Sequence, residues 1–76
     1  MQSMDMELIG RKIKEERKKQ GMTQSDLAEK IYTDDSIISR IERGKGIGDF
    51  SKLLLIANAL KIDIRHLIDS GIVEYP

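Results

Sequence analysis

Residues 23–44, TQSDLAEKIYTDDSIISRIERG, decide the fold of this chain. Thr23 can cap free N–H groups with its hydroxyl, and Asp26 places a carboxylate at the positive end of the following helix. Asp34 and Asp35 open the second half in the same way. The apolar positions between these signals follow two short helical patterns: Leu27, Ala28, Ile31, Ile38 and Ile41. The stretch therefore predicts two short helices joined by a turn, a helix-turn-helix.

The length of 76 residues favours a single small binding domain over an enzyme, because little room remains for an internal cavity. The absence of cysteine excludes disulfides and thiolate zinc sites, and allows a reducing cytosol. The longest apolar run, residues 53–57, is too short to cross a bilayer, and the N-terminus is acidic where a signal peptide is basic. We therefore predict a cytoplasmic protein without a membrane segment.

The charges of the chain cancel, with 13 basic and 13 acidic residues, but they are unevenly distributed. Residues 8–45 contain ten basic and seven acidic side chains, a net charge of +3, whereas residues 1–7 carry −2 and residues 46–76 carry −1. A modest basic excess of this kind predicts salt-sensitive nucleic-acid binding rather than tight non-specific binding.

Periodicity and cap signals predict five helices and no strand, an all-α fold. The helices are expected at residues 7–20, 24–31, 35–43, 50–60 and 64–69. They form one compact domain at residues 8–70, between an N-terminal tail (1–7) and a C-terminal tail (71–76). Arg17 shares the apolar stripe of Ile13, so we expect its stem to be packed and its guanidinium to be paired with a carboxylate.

The third predicted helix directs Ile38 and Ile41 to the core and leaves a mostly hydrogen-bonding face outside. That face holds Asp35, Ser36, Ile37, Ser39, Arg40 and Arg43. The following segment, GKGIGD at residues 44–49, is interpreted as a flexible linker, because no strand precedes its glycines as a phosphate-binding loop would require.

Catalytic and metal chemistry have no support in the sequence. The carboxylates fall on solvated helix faces, and no nucleophile has a base at a meaningful spacing. His66 is the only histidine and has no cysteine to share a metal with. We therefore expect no enzyme activity, no metal and no cofactor.

Three segments together carry a family resemblance: IGRKIKEERKKQGMTQSDLAEKI at residues 9–31, IISRIERG at residues 37–44 and NALKIDIRHLI at residues 58–68. From residue 9 to residue 68 the chain resembles the lambda-repressor-like DNA-binding domains, the Cro/C1-type or xenobiotic-response-element family. The resemblance implies a five-helix domain with the helix-turn-helix at helices two and three. It also implies a transcriptional regulator, a repressor or autoregulator, that binds double-stranded DNA.

The resemblance assigns roles to individual positions. Positions that reach base edges correspond to Asp35, Ser36 and Arg40, with Ser39 and Ile37 as helpers. Positions that contact phosphates correspond to Gln24, Arg43, Lys45 and Gly46. A buried ion pair between the first and third helices corresponds to Arg17 and Glu42.

The chemistry of the base-contacting positions can be argued independently. Arg40 can pair with guanine O6 and N7, which is worth about 1–3 kcal/mol of discrimination. Asp35 can accept a hydrogen bond from the amino group of cytosine. Ser36 suits either a base or a phosphate, and an exposed Ile37 suits a thymine methyl group.

The chain departs from the family pattern in the turn and in the loop. Tyr32 stands where glycine is usual, so it either adopts a left-handed backbone at some strain or the turn has another shape, and its ring is expected to shield the core. Asp34 is expected to cap its own helix with its carboxylate. Gly46, Ile47 and Gly48 replace a common proline and loosen the loop.

Proteins with this docking mode bind two half-sites about 34–36 Å apart as two-fold dimers, which predicts a homodimer on a palindromic operator. A surplus of apolar residues suggests an interface formed by helix five, the tail and one residue of helix four: Leu55, Ile64, Ile72, Val73 and Tyr75. Alternatively, residues 72–75 fold back on their own monomer, or the tail marks a missing C-terminal sensor domain.

Two functions thus remain open. One is the sequence-specific DNA-binding regulator. The other is a protein-interaction module of antitoxin or anti-regulator type that kept the fold with weak or no DNA binding, a hypothesis based on the zero net charge and on Asp34 with Asp35.

Overall fold

The computed structural model describes residues 1–46 and 49–75 of the chain. The predicted loop residues Ile47 and Gly48, and the last residue of the predicted tail, Pro76, lie outside them. The elements in chain order are β1 (Gln2–Met4), α1 (Met6–Lys19), α2 (Gln24–Lys30), α3 (Asp35–Glu42), α4 (Phe50–Leu60), α5 (Ile64–Ser70) and β2 (Ile72–Glu74). The five predicted helices are confirmed, and each boundary agrees within one residue.

Local capping explains where most helices begin. Thr23 and Asp26 form a capping box on α2, in which the Asp26 amide donates to the Thr23 hydroxyl at 3.0 Å and the Thr23 amide donates to the Asp26 carboxylate at 2.8 Å. Asp49 caps α4, Asp63 caps α5, and Asp5 accepts from the first amides of α1. Short-range signals therefore set these helix starts.

The hydrophobic core receives side chains from α1, α2, α3, α4 and α5. Its buried members are Ile9, Ile13, Leu27, Ala28, Ile31, Ile38, Ile41, Leu53, Ile56, Ala57, Leu60 and Leu67. The predicted inward positions of α1 and α3 are confirmed by this core. Because α2 and α3 both bury residues in it, their relative position is fixed by packing.

Glycine allows α1 to cross closely over the end of α3. A Cβ added to Gly10 would lie 2.6 Å from the Glu42 carbonyl oxygen. Gly44, with a φ of 75°, lies against Glu7 in the same way, since an added Cβ would be 2.7 Å from its Cγ. The start of α1 is therefore in direct contact with the residues that follow α3.

The two ends of the chain pair as an antiparallel ribbon of β1 and β2, with Gln2 opposite Glu74 and Met4 opposite Ile72. The amide of Asp5 extends the pairing by donating to the Gly71 carbonyl at 2.7 Å. The prediction of a chain without strands is wrong at both termini, because a three-residue strand with a distant partner leaves no local periodicity. Residues 72–75 fold back on their own monomer, as one of the alternatives proposed.

No helix among the described residues is both long and apolar enough to cross a membrane.

Candidate nucleic-acid interface

A buried ion pair joins α1 to the end of α3. Arg17 donates to Glu42 from Nε at 2.7 Å and from Nη2 at 3.0 Å, and the two residues are 6% and 7% exposed. The remaining Arg17 Nη1 donates to the Met22 carbonyl at 2.7 Å. The hydrogen bond that Arg17 donates to the Glu42 carboxylate raises the pKa of Arg17 above its usual value. The carboxylate partner expected for Arg17 is thus present.

Gln24 extends this ion pair to α2. Its Nε2 donates to Glu42 Oε1 at 3.1 Å, so one carboxylate receives hydrogen bonds from α1 and from α2. The side chain is half-buried at the first position of α2. Its predicted phosphate contact therefore has to use the part of the amide that does not face Glu42.

The outer side of α3 presents three exposed polar side chains, Asp35, Ser36 and Arg40, which we call the recognition face. The two predicted helpers are less accessible. Ser39 is half-buried, and Ile37 is half-buried with its side chain packed against the core. The expectation that Ile37 lies on the outward face is therefore only partly met, because the core also takes up this position.

Sequence reasoning missed a hydrogen bond between α2 and the recognition face. The Ser25 hydroxyl donates to Asp35 Oδ2 at 3.2 Å. The two residues are ten positions apart, and their contact depends on how α2 and α3 cross. No local sequence pattern therefore predicts it.

The turn between α2 and α3 resolves one open alternative and corrects two expectations. Tyr32 has a φ of 58°, so it does adopt the left-handed backbone. The residue is 97% exposed, so its ring does not shield the core and that expectation is wrong. Asp34 occupies the N-cap position of α3 but makes no side-chain capping hydrogen bond, so the predicted cap is wrong.

The segment after α3 offers cations at the edge of the recognition face. Arg43 and Lys45 are exposed, and Arg43 Nε donates back to the Ser39 carbonyl at 3.2 Å. The amide of Lys45 already donates to the Arg40 carbonyl at 2.9 Å. A phosphate contact by Lys45 therefore has to use its side chain, whereas Gly46, with a φ of 113°, brings exposed backbone to the same place.

A shallow depression of about 320 Å³ lies between α1 and the end of α3. Its basic lining residues are Arg11 and Lys14 from α1 together with Arg43. Glu7 and Glu42 complete the lining, and Glu42 is engaged with Arg17. Arg11 and Lys14 of α1 thus line the same depression as Arg43, which follows α3.

The residues predicted for a dimer interface occupy three elements. Leu55 is exposed on α4, Ile72 is exposed on β2, and Tyr75 is exposed just beyond it. Val73 is half-buried in β2, and Ile64 packs partly against the core from α5. The dimer stays a prediction.

The family model for a helix-turn-helix, HTH_3, matches residues 13–67. Among solved structures, the restriction-modification controller protein C.AhdI from Aeromonas hydrophila is 32% identical, with a TM-score of 0.78 over 83% of this chain and 91% of that one. SinR, the master regulator for biofilm formation, in complex with DNA is 34% identical, with a TM-score of 0.73 over 80% of this chain and 98% of that one.

The P22 c2 repressor in complex with a synthetic operator is 26% identical, with a TM-score of 0.78 over 84% of this chain and 97% of that one. A comparison with curated proteins gave no match. The chain belongs to the HTH_3 helix-turn-helix family of Cro/C1-type, lambda-repressor-like domains.

Proposed function

We propose that this protein is a sequence-specific, double-stranded-DNA-binding transcriptional regulator, a repressor or autoregulator, that places α3 in the major groove. The observation that carries the proposal is the recognition face, an exposed polar surface on a short helix whose other side is locked to α1 and α2. A helix of this kind fits the width of the major groove. The protein acts by binding rather than catalysis, and in the cytoplasm.

The recognition face supplies the base contacts. Arg40 is exposed and can pair with guanine through two N–H groups, which is worth about 1–3 kcal/mol of discrimination. Asp35 accepts from a cytosine amino group, and Ser36 serves a base or a phosphate. Ser39 and Ile37 contribute less, because the fold half-buries both.

Phosphate contacts flank the recognition face on both sides. Gln24 approaches the DNA backbone from the start of α2, and Arg43, Lys45 and Gly46 approach it from the end of α3. The cations of the neighbouring depression, Arg11 and Lys14, add to this second group. Each phosphate that is neutralised steepens the salt dependence of the binding constant by about 0.9 in a double-logarithmic plot.

We further propose a homodimer that binds a palindromic operator. One copy offers few phosphate contacts, and two-fold symmetry doubles them. The exposed side chains of Leu55, Ile72 and Tyr75, with Val73 and Ile64 beside them, supply the apolar surface. Sedimentation of the isolated chain tests this, and a monomer at every concentration would refute it.

One observation favours a second candidate, a protein-interaction module of antitoxin or anti-regulator type. Asp34 makes no capping bond, so its carboxylate stands with that of Asp35 at the start of α3. Two carboxylates there oppose DNA phosphates and suit a basic protein partner.

Titration of duplex DNA at several salt concentrations separates the two candidates. The protein is first titrated with a random duplex pool. The sequences that it enriches from this pool are then titrated individually. We expect salt-sensitive binding and a palindromic consensus that loses one guanine preference in Arg40→Ala. The matched control is Arg65→Ala, an exposed arginine on α5, which should leave the consensus unchanged. Absence of binding at low salt would reject the regulator.

A further inference from the structure

The hydrogen bond from Ser25 to Asp35 lies at the protein surface, where a hydrogen bond contributes little to the stability of the fold. Both side chains are exposed, and the 3.2 Å bond lies at the surface where α2 meets the start of α3. An exposed neutral donor adds little to stability, because water offers the carboxylate an equivalent partner. The bond does, however, select one orientation of the Asp35 side chain.

The start of α2 holds α3 at both of its ends. Gln24 donates to Glu42, the last residue of α3, and its neighbour Ser25 donates to Asp35, the first one. The Glu42 end is further fixed by the buried pair with Arg17. The backbone of Ser25 is therefore held by its neighbour Gln24, and its hydroxyl reaches Asp35 from this support.

We infer that Ser25 is a positioning residue for base selection, holding the Asp35 carboxylate in the rotamer that reads a cytosine; this inference rests on the proposed DNA-binding function. Ser25 occupies Oδ2 and leaves Oδ1 to accept from the exocyclic amino group. A side chain that is already oriented loses less rotamer freedom when it binds.

The hydrogen bond also keeps the carboxylate in place against a repulsive field. An aspartate near the DNA backbone is pushed away from phosphates, and an untethered side chain can rotate towards water. Because this rotation withdraws the Asp35 acceptor from the base, loss of Ser25 weakens discrimination at one base pair. It does not weaken affinity for every sequence, as loss of a phosphate contact would.

The test is selection from a random duplex pool by the full chain and by Ser25→Ala, Ser25→Thr, Asp35→Ala and the double variant Ser25→Ala/Asp35→Ala. Competition titrations then compare the preferred cytosine with the other bases at the position that Asp35→Ala affects. In Ser25→Ala we expect the cytosine preference at this one position to fall about three- to tenfold. Ser25→Thr keeps the hydroxyl and should retain the preference.

Thermal unfolding of each variant accompanies the titrations. We expect melting temperatures close to that of the parent chain, since both side chains are exposed. In the Asp35→Ala background, Ser25→Ala should change nothing further, because the side chain that it positions is absent.

Three results would overturn the inference. If Asp35→Ala removes a base preference that Ser25→Ala leaves intact, Asp35 reads DNA without help, and the proposed function still stands. If Ser25→Ala lowers affinity equally for all sequences, Ser25 contacts a phosphate instead. If the parent chain enriches no sequence, the proposed function fails and the inference fails with it.

Discussion

Replacing Tyr32 by glycine should stabilise the protein. Tyr32 has a φ of 58°, a conformation that costs a residue with a Cβ about 1–2 kcal/mol. Glycine avoids this cost, but it has more conformational freedom in the unfolded chain, and this lowers the free energy of unfolding by about 0.5–1 kcal/mol. The ring is 97% exposed, so its removal sacrifices almost no packing. We therefore expect Tyr32→Gly to raise the free energy of unfolding by about 0.5–1 kcal/mol.

Thermal and urea unfolding measure this change. For a domain of 60–100 residues, a gain of that size raises Tm by about 2–8 °C. Tyr32→Ala is the internal control, since it removes the ring and keeps the Cβ; its stability should stay within about 0.5 kcal/mol of the parent. Lys61 is the matched site, because it ends α4 with the same φ of 58°, and Lys61→Gly should give a similar gain.

A lower Tm for Tyr32→Gly would refute the reasoning. A decrease of more than about 1 kcal/mol in the free energy of unfolding of Tyr32→Ala would also refute it, because the exposed ring would then contribute packing. If Tyr32→Gly stabilises as expected but also weakens DNA binding, the strain at Tyr32 is retained for a contact with DNA.

Three other substitutions test the support of the recognition face and the start of α5. Glu42→Ala should cost about 3–5 kcal/mol in urea unfolding, since it leaves Arg17 buried without a carboxylate. Gly10→Ala should cost about 1–3 kcal/mol by the same assay, because its Cβ would lie 2.6 Å from a carbonyl oxygen. Arg65 lowers the pKa of Asp63 from 3.8 to about 2, so the stability from the ionised carboxylate is present above pH 3.8 and lost towards pH 2. In acid titrations, Asp63→Asn should therefore lose less stability over this interval than the parent chain.

Each of the three has a result that contradicts it. If Glu42→Ala lowers the free energy of unfolding by less than about 1 kcal/mol, the Arg17 guanidinium is hydrated in the variant. An unchanged urea midpoint in Gly10→Ala would mean that α1 can move away from α3. Identical acid unfolding of Asp63→Asn and the parent would mean that the carboxylate is not held by Arg65.

The helices were predictable because their signals are local. Thr23, Asp49 and Asp63 lie immediately before the helices that they cap. The helical spacing of the apolar residues can likewise be recognised without knowledge of distant partners. The pairing of Arg17 was predictable for a different reason. A charge on an apolar stripe needs a carboxylate, and the family resemblance indicated Glu42.

The features that the sequence did not reveal depend on side-chain rotamers or on distant contacts. Asp34 has the right residue type and position for a cap, yet its carboxylate does not reach the helix amides. Ser25 meets Asp35 only because α2 and α3 cross at a particular angle. Tyr32 adopts the left-handed backbone, which the sequence left as one of two alternatives, and its side chain is exposed.

The pairing of the two chain ends has a consequence for the order of folding. Gln2 and Glu74 are 72 positions apart, and closing a chain of that length from the unfolded state costs about 4 kcal/mol of entropy. Strands of three residues cannot offset this cost, so the ribbon forms only after the helices have brought the ends together. Its amides should therefore exchange with solvent through local opening, faster than those of α1 and α4, while the helical domain stays folded.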